Sequence, residues 1–131
     1  MKHLSLRTGI ALFAGLIFLS ACSTVPERSH PDDVGFTEVG EASFYAMKYQ
    51  FSTTASGERY NHLSSTAAHR SLPFGTRVEV VNLANNESTI VKINDRGPFI
   101  QGRIIDLSRS AFSDIADTDQ GIIKVRIKVL P

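Results

Sequence analysis

Ile123-Lys124-Val125-Arg126-Ile127-Lys128-Val129 decides the fold class, because four apolar β-branched residues alternate with three cations at a period of two. Only a strand sends successive side chains to opposite faces, so one face of this segment is inside and the other is wet. Further back, Val78, Val80 and Leu83 precede Asn85-Asn86, and Ile90, Val91 and Ile93 follow. This pattern predicts a hairpin, since asparagine tolerates left-handed turn conformations. Another strand is expected from Glu41 to Tyr45, with Ala42 and Phe44 on one side. A helix is expected after Asp106, where Leu107, Ala111 and Ile115 fall on one stripe and Ser108 suits the N-cap. Short strands dominate, so a small closed barrel, which leaves no exposed edge, is the expected architecture.

Between these elements lie loops rich in chemistry. Thr54-Ala55-Ser56-Gly57-Glu58, Thr66-Ala67-Ala68-His69, Leu72-Pro73-Phe74-Gly75-Thr76, Asn94-Asp95-Arg96-Gly97-Pro98 and Ile105-Asp106-Leu107-Ser108 follow one another in order. So many turn-forming glycines and prolines beside isolated ionisable groups read as functional loops on short strands. They point to a site built from carboxylates and a histidine.

Together with Gly40-Glu41-Ala42-Ser43-Phe44-Tyr45 and Gly102-Arg103-Ile104-Ile105-Asp106-Leu107-Ser108, these motifs resemble the rare lipoprotein A family of septal-ring lytic transglycosylases. The match covers nearly all of the chain after the leader. The resemblance implies a mainly β fold, a small six-stranded double-psi β-barrel with one or two short helices. It also implies an endolytic lyase that cleaves peptidoglycan between N-acetylmuramic acid and N-acetylglucosamine, leaves 1,6-anhydro-muramic acid ends, and prefers strands free of stem peptides. Expansins and some endoglucanases share the barrel, with their functional aspartate in a motif resembling Ile105-Asp106-Leu107-Ser108. The family pattern has a glycine where Phe51 stands, an aspartate where Asn61 stands, and Asn-Gly where this chain has Asn85-Asn86. The stretch to Pro131 does not include the carboxy-terminal septal peptidoglycan-binding domain of longer relatives, so septal targeting is not among the expectations carried over.

Position by position, the resemblance makes Glu58, His69 and Asp95 the catalytic residues. Glycosidic cleavage needs a carboxylic acid to protonate the leaving oxygen and a group to stabilise or deprotonate the oxocarbenium-like sugar. Asp95 follows an apolar strand, and desolvation there would raise its pKa toward the useful range, so it is the first choice of donor. Glu58 is the other, with Asp95 then fixing His69 or the substrate. Taken singly, each has a plainer reading: Asp95 a turn aspartate, Glu58 a solvated loop carboxylate, His69 a satisfied histidine at a strand end.

Substrate contacts are expected from Ser56 in the Glu58 loop, and from Tyr45 and Tyr60 as flat faces for sugar rings. Asp106 either joins the site or caps the helix that follows it. Arg96 and Arg103 can grip the lactyl carboxylate of muramic acid, although an internal ion pair with Asp106 is the plainer use. The four histidines make no metal-ligand spacing, so neither a metal nor a cofactor is proposed.

The amino terminus addresses the chain to the cell envelope. Lys2 and Arg7 precede an apolar run from Ile10 to Leu19, and Leu19-Ser20-Ala21-Cys22 ends it at the sole cysteine. This is the pattern of a signal peptide over residues 1–21 with a lipoprotein box. The run falls short of the roughly 18 to 20 apolar residues that span a bilayer. Resemblance to bacterial lipoproteins implies acylation of Cys22 and, with Ser23 after it, a lipid anchor at the periplasmic face of the outer membrane. Residues 22–35 carry Pro26 and Pro31 and read as a flexible tether reaching at most about 45 Å, followed by the catalytic domain at 36–131.

The whole chain carries 14 basic and 13 acidic residues; the leader holds Lys2 and Arg7 and no acid. Near-neutral charge without a basic run argues against a nucleic-acid partner. Peptidoglycan and the membrane are the expected partners, with room for an envelope or divisome protein. A non-catalytic glycan-binding or wall-loosening module in the manner of expansins is the alternative. A purely structural lipoprotein is a weaker one, because it leaves the ionisable loops unexplained.

Overall fold

The computed structural model describes residues 31–131. The expected signal peptide, Cys22 and most of the tether lie outside the described residues. Six strands, β1 (Thr37–Phe44), β2 (Thr66–Ala68), β3 (Arg77–Asn82), β4 (Ser88–Asp95), β5 (Arg103–Leu107) and β6 (Ile123–Val129), close into a barrel in the order β1-β5-β2-β4-β3-β6. Among the described residues, one helix, α1 (Arg109–Ile115), and three single 3-10 turns complete it.

The alternation in Ile123–Val129 is realised residue for residue: Ile123, Val125, Ile127 and Val129 are buried while Lys124, Arg126 and Lys128 are exposed. This strand pairs antiparallel with both β1 and β3, so its apolar face closes one side of the barrel. The β3–β4 hairpin forms with Val78 opposite Val91. Asn86 adopts φ 60° in the turn, as asparagine there was expected to allow, while Leu83 falls in the turn beyond β3 and is exposed.

Two expectations are corrected. Leu107 belongs to β5 rather than to the helix, and its burial comes from the barrel. Nor does Asp106 cap α1: Ser108 does, its hydroxyl accepting from the Ala111 amide. The period-3.6 stripe is real for Ala111 and Ile115, which with Phe112 face the core. β2 and β5 are too short for period alone to announce them as strands, three and five residues.

The other two sides of the barrel contain parallel pairs, β1 with β5 and β2 with β4. Each carries a register shift, between Glu41 and Ala42 in one and between Ala67 and Ala68 in the other. Close approach shapes the first pair. A Cβ on Gly40 would stand 2.6 Å from Ile104 Cγ2, so glycine is what lets β1 lie against β5.

Candidate active site

Register places the two key carboxylates. Ala68, on the central strand β2, is opposite Asp106 of β5 on one side and Asp95 of β4 on the other. Adjacent strands lie about 4.8 Å apart, so the two aspartate Cα atoms are roughly 9 to 10 Å apart across Ala68. Both side chains line one cleft of about 520 Å³. Its walls include Ser43, Phe44, Tyr45 and Tyr49 from the β1 side, Thr54 and Tyr60 from the following loop, and Arg103.

Three donors fix Asp95. The Tyr45 hydroxyl donates to Oδ2 at 2.6 Å, and the amides of Ala55 and Arg96 donate to Oδ1 at 2.9 Å each. Burial raises the Tyr45 pKa strongly, helped by its hydrogen bond to Asp95 and the charge there, so the phenol stays a donor. Asp106 accepts a hydrogen bond from Ser43 Oγ. Burial nonetheless holds its pKa above the usual carboxylate value; the Ser43 bond and the Arg103 charge oppose the rise, and the negative charge of Asp95 adds to it. Of the two uses open to Asp106, it therefore joins the site, as a partly desolvated carboxyl, and leaves the cap to Ser108.

The remaining candidates divide between cleft and flank. Tyr45, Tyr60 and Arg103 line the cleft, yet Tyr60 is fully buried, its ring 4.2 Å from that of Tyr45 and its hydroxyl 2.7 Å from His62 Nδ1. The aromatic face that stands partly open there is Tyr49, which the sequence reading had passed over. Nothing in the sequence pattern marked it, since its exposure is set by the fold. Ser56 works inside its loop, bonded to the Thr54 hydroxyl and accepting from the Glu58 amide.

Glu58 is half-exposed on that loop and pairs with Lys92 Nζ at 3.0 Å. His69 is almost wholly buried and bonds Glu38 on β1. Neither lines the cleft. The internal ion pair with Asp106 is not what the arginines make. Arg96 stacks on Phe74, 4.0 Å from the ring centre, and donates to the Leu72 carbonyl at 2.8 Å. Arg103 lies in the cleft and acts on Asp106 by charge without forming an ion pair with it.

Two of the three departures from the family pattern find local explanations. Phe51 has φ 65°, in the left-handed region that favours glycine, which accounts for the family's glycine there. Asn61 Oδ1 accepts from the Leu63 amide at 2.9 Å, closing a turn that an aspartate could close equally well.

Fold and cleft together define a closed six-stranded β-barrel whose groove pairs two aspartates with aromatic and basic walls. Residues 37–127 match the family model described as lytic transglycolase, and the chain belongs to that family. The motif resemblance to rare lipoprotein A proteins is borne out by relatives. An endolytic peptidoglycan transglycosylase RlpA of Vibrio cholerae is 49% identical over 96 residues, covering 73% of this chain and 36% of the relative. One from Helicobacter pylori is 49% identical over 98 residues, covering 75% and 31%, and a probable one from Nostoc is 54% identical over 93, covering 70% and 25%. This chain therefore spans only about a quarter to a third of the length of these curated relatives. Among solved structures, the Streptomyces papain inhibitor superposes with TM-score 0.63 at 23% identity over 75% of this chain and 97% of its own. A Clavibacter michiganensis expansin mutant in complex with cellohexaose gives 0.59 at 19% over 73% and 51%. At such identities these two establish the barrel alone.

Proposed function

We propose that this protein is an endolytic peptidoglycan lytic transglycosylase whose proton donor and acceptor is Asp106. The observation that carries the reading is the pair of aspartates on either side of Ala68 in one cleft, within a chain of the lytic transglycolase family. A carboxyl with a raised pKa keeps its proton until it delivers it to the glycosidic oxygen between N-acetylmuramic acid and N-acetylglucosamine. The C1–O bond breaks and the N-acetylglucosamine leaves as an alcohol. Asp106, now ionised, takes the proton from the C6 hydroxyl of the same muramic acid as that oxygen closes on C1. The products are a 1,6-anhydro end and a new glycan end; no water is consumed.

Asp95, held by Tyr45 and two amides, stands where it can stabilise the positive charge developing at C1. Arg103 offers a cation to the lactyl carboxylate, and Tyr49 a flat face to a pyranose ring. Glu58 and Ser56, on the loop whose Ala55 amide holds Asp95, are assigned to the rim along which the strand enters. The proposal extends to a preference for peptide-free strands and to anchoring through acylated Cys22 at the periplasmic face of the outer membrane, with an envelope or divisome protein as partner. The leader pattern and the short tether support that location.

The test is to incubate the protein with intact sacculi and with purified peptide-free strands and to identify the products by mass spectrometry. Anhydro-muramic ends are the expected products. Reducing ends would make the protein a hydrolase, and retention on glycan without any release would make it a binding module of the expansin kind.

A further inference from the structure

His69 is the one member of the expected catalytic trio that the barrel buries, and both nitrogens of its ring are engaged away from the cleft. Nδ1 lies 3.1 Å from the amide nitrogens of both Ser71 and Leu72. An atom that accepts from two N–H groups carries no hydrogen, so the ring proton resides on Nε2. There it is donated to Glu38 Oε2 at 3.1 Å, whose other oxygen is 3.5 Å from Arg70. The side chain is 3% exposed, and His69 is not among the residues that line the cleft.

What the imidazole holds leads back to the cleft. The Leu72 carbonyl accepts from Arg96 Nη1 at 2.8 Å, and the His69 carbonyl receives the same nitrogen at 3.4 Å. Arg96 donates its own amide to Asp95 Oδ1, while the His69 amide donates to the Asp95 carbonyl at 3.2 Å. We propose that His69 is a positioning residue: its ring pins the backbone of residues 69–72, which seats Arg96 and thereby fixes the carboxylate of Asp95, and it exchanges no proton with the sugar. Three charged side chains face the ring, Glu38 from β1, Arg70 from the same loop and Arg96 from beyond β4. Burial lowers its pKa, Glu38 opposes that, and the two arginines reinforce it, so the neutral ring the geometry needs is the form that burial favours.

The kinetic arm of the test rests on the transglycosylase reading; the spectroscopic arm does not. With the full chain labelled with 15N at histidine, and the His69 signals assigned by their loss in the variants, Nδ1 is expected to resonate as an unprotonated nitrogen and Nε2 as a protonated one. Neither should titrate at the ordinary histidine value, about 6.5, but only below it. Titration near 6.5, or a proton on Nδ1, overturns the proposal. In the second arm, His69→Asn keeps an acceptor oxygen near the Nδ1 position but no titrating group. It is expected to retain the amide shifts of Ser71 and Leu72, the Nε signal of Arg96, and kcat within about tenfold of the parent, with KM unchanged, whereas His69→Ala disturbs all of those signals and loses about 100-fold or more in kcat, the usual cost of a misplaced group. A folded His69→Asn as inactive as His69→Ala, with its signals unmoved, would show that the ring transfers a proton. Should the parent release no anhydro ends at all, the transglycosylase reading fails and the NMR measurements still decide whether the His69 ring pins residues 69–72.

Discussion

The antiparallel side of the barrel, β3-β6-β1, and the side that carries parallel pairs, β1-β5 and β2-β4, are built from the same kinds of apolar residue and do opposite jobs. On the antiparallel side the register runs unbroken from Val78 opposite Val129 to Asn82 opposite Val125, and along β6 alternation alone fixes what is buried. On the parallel side both pairs slip by one position, and the slips fall beside Ala42 and Ala68, where Asp106 and Asp95 emerge. Bulges re-aim side chains. One side is a scaffold made by repetition, and the other is a site made by interrupting it.

The sharpest way to break that comparison is to change the site side without touching its packing. Asp106→Asn should lower the rate of anhydro-end formation about 10³-fold, measured by quantitative chromatography of digests. The same variant should melt higher at neutral pH by roughly 4 °C, read by calorimetry. The sign follows from linkage. Burial raises the Asp106 pKa in the folded state, so its contribution to stability is fully present below the unfolded value and is lost as pH rises through the folded one. Asparagine cannot ionise and escapes that loss. By the same logic the parent's activity should fall as pH rises through the Asp106 value, since the donor must begin protonated.

Next in size is the scaffold. Ile127→Ala removes a fully buried side chain between β1 and β3 and should cost about 2 to 4 kcal/mol in a urea titration, with turnover per folded molecule unchanged. Loss of activity without loss of stability in that variant would erase the division between the two sides. Tyr45→Phe sharpens it from within the site, deleting one of the three donors to Asp95. It should reduce kcat about tenfold or more with little change in melting. The smallest effect is expected at Lys92→Ala, which frees Glu58 from a half-exposed pair and should shift stability by less than about 0.5 kcal/mol.

The same contrast explains what could be read from the chain alone. Ile123–Val129 and the β3–β4 hairpin were legible because burial on one face imposes a period. β2 and β5 were not, because Thr66–Ala68 is buried throughout and Arg103–Leu107 ends in the site, so neither alternates cleanly. Leu107 and Asp106 were therefore read into the helix that begins two residues later. Motifs named Asp95, Asp106, Tyr45 and Arg103, and those do share a cleft. What the motifs could not convey is direction: His69 turns toward Glu38 and Glu58 toward Lys92, choices made by β1 and β4, strands distant in sequence. Tyr60, chosen for its flat face, is used as core.

The measurement that bears most directly on the account is single-turnover cleavage of peptide-free glycan strands by the parent and by Asp106→Asn, with products identified by mass and folding checked by calorimetry. The account predicts 1,6-anhydro-muramic ends from the parent, and from a fully folded, more stable Asp106→Asn about 10³-fold fewer in the same time. Undiminished anhydro ends from that variant would contradict it and move the proton transfer to another carboxyl.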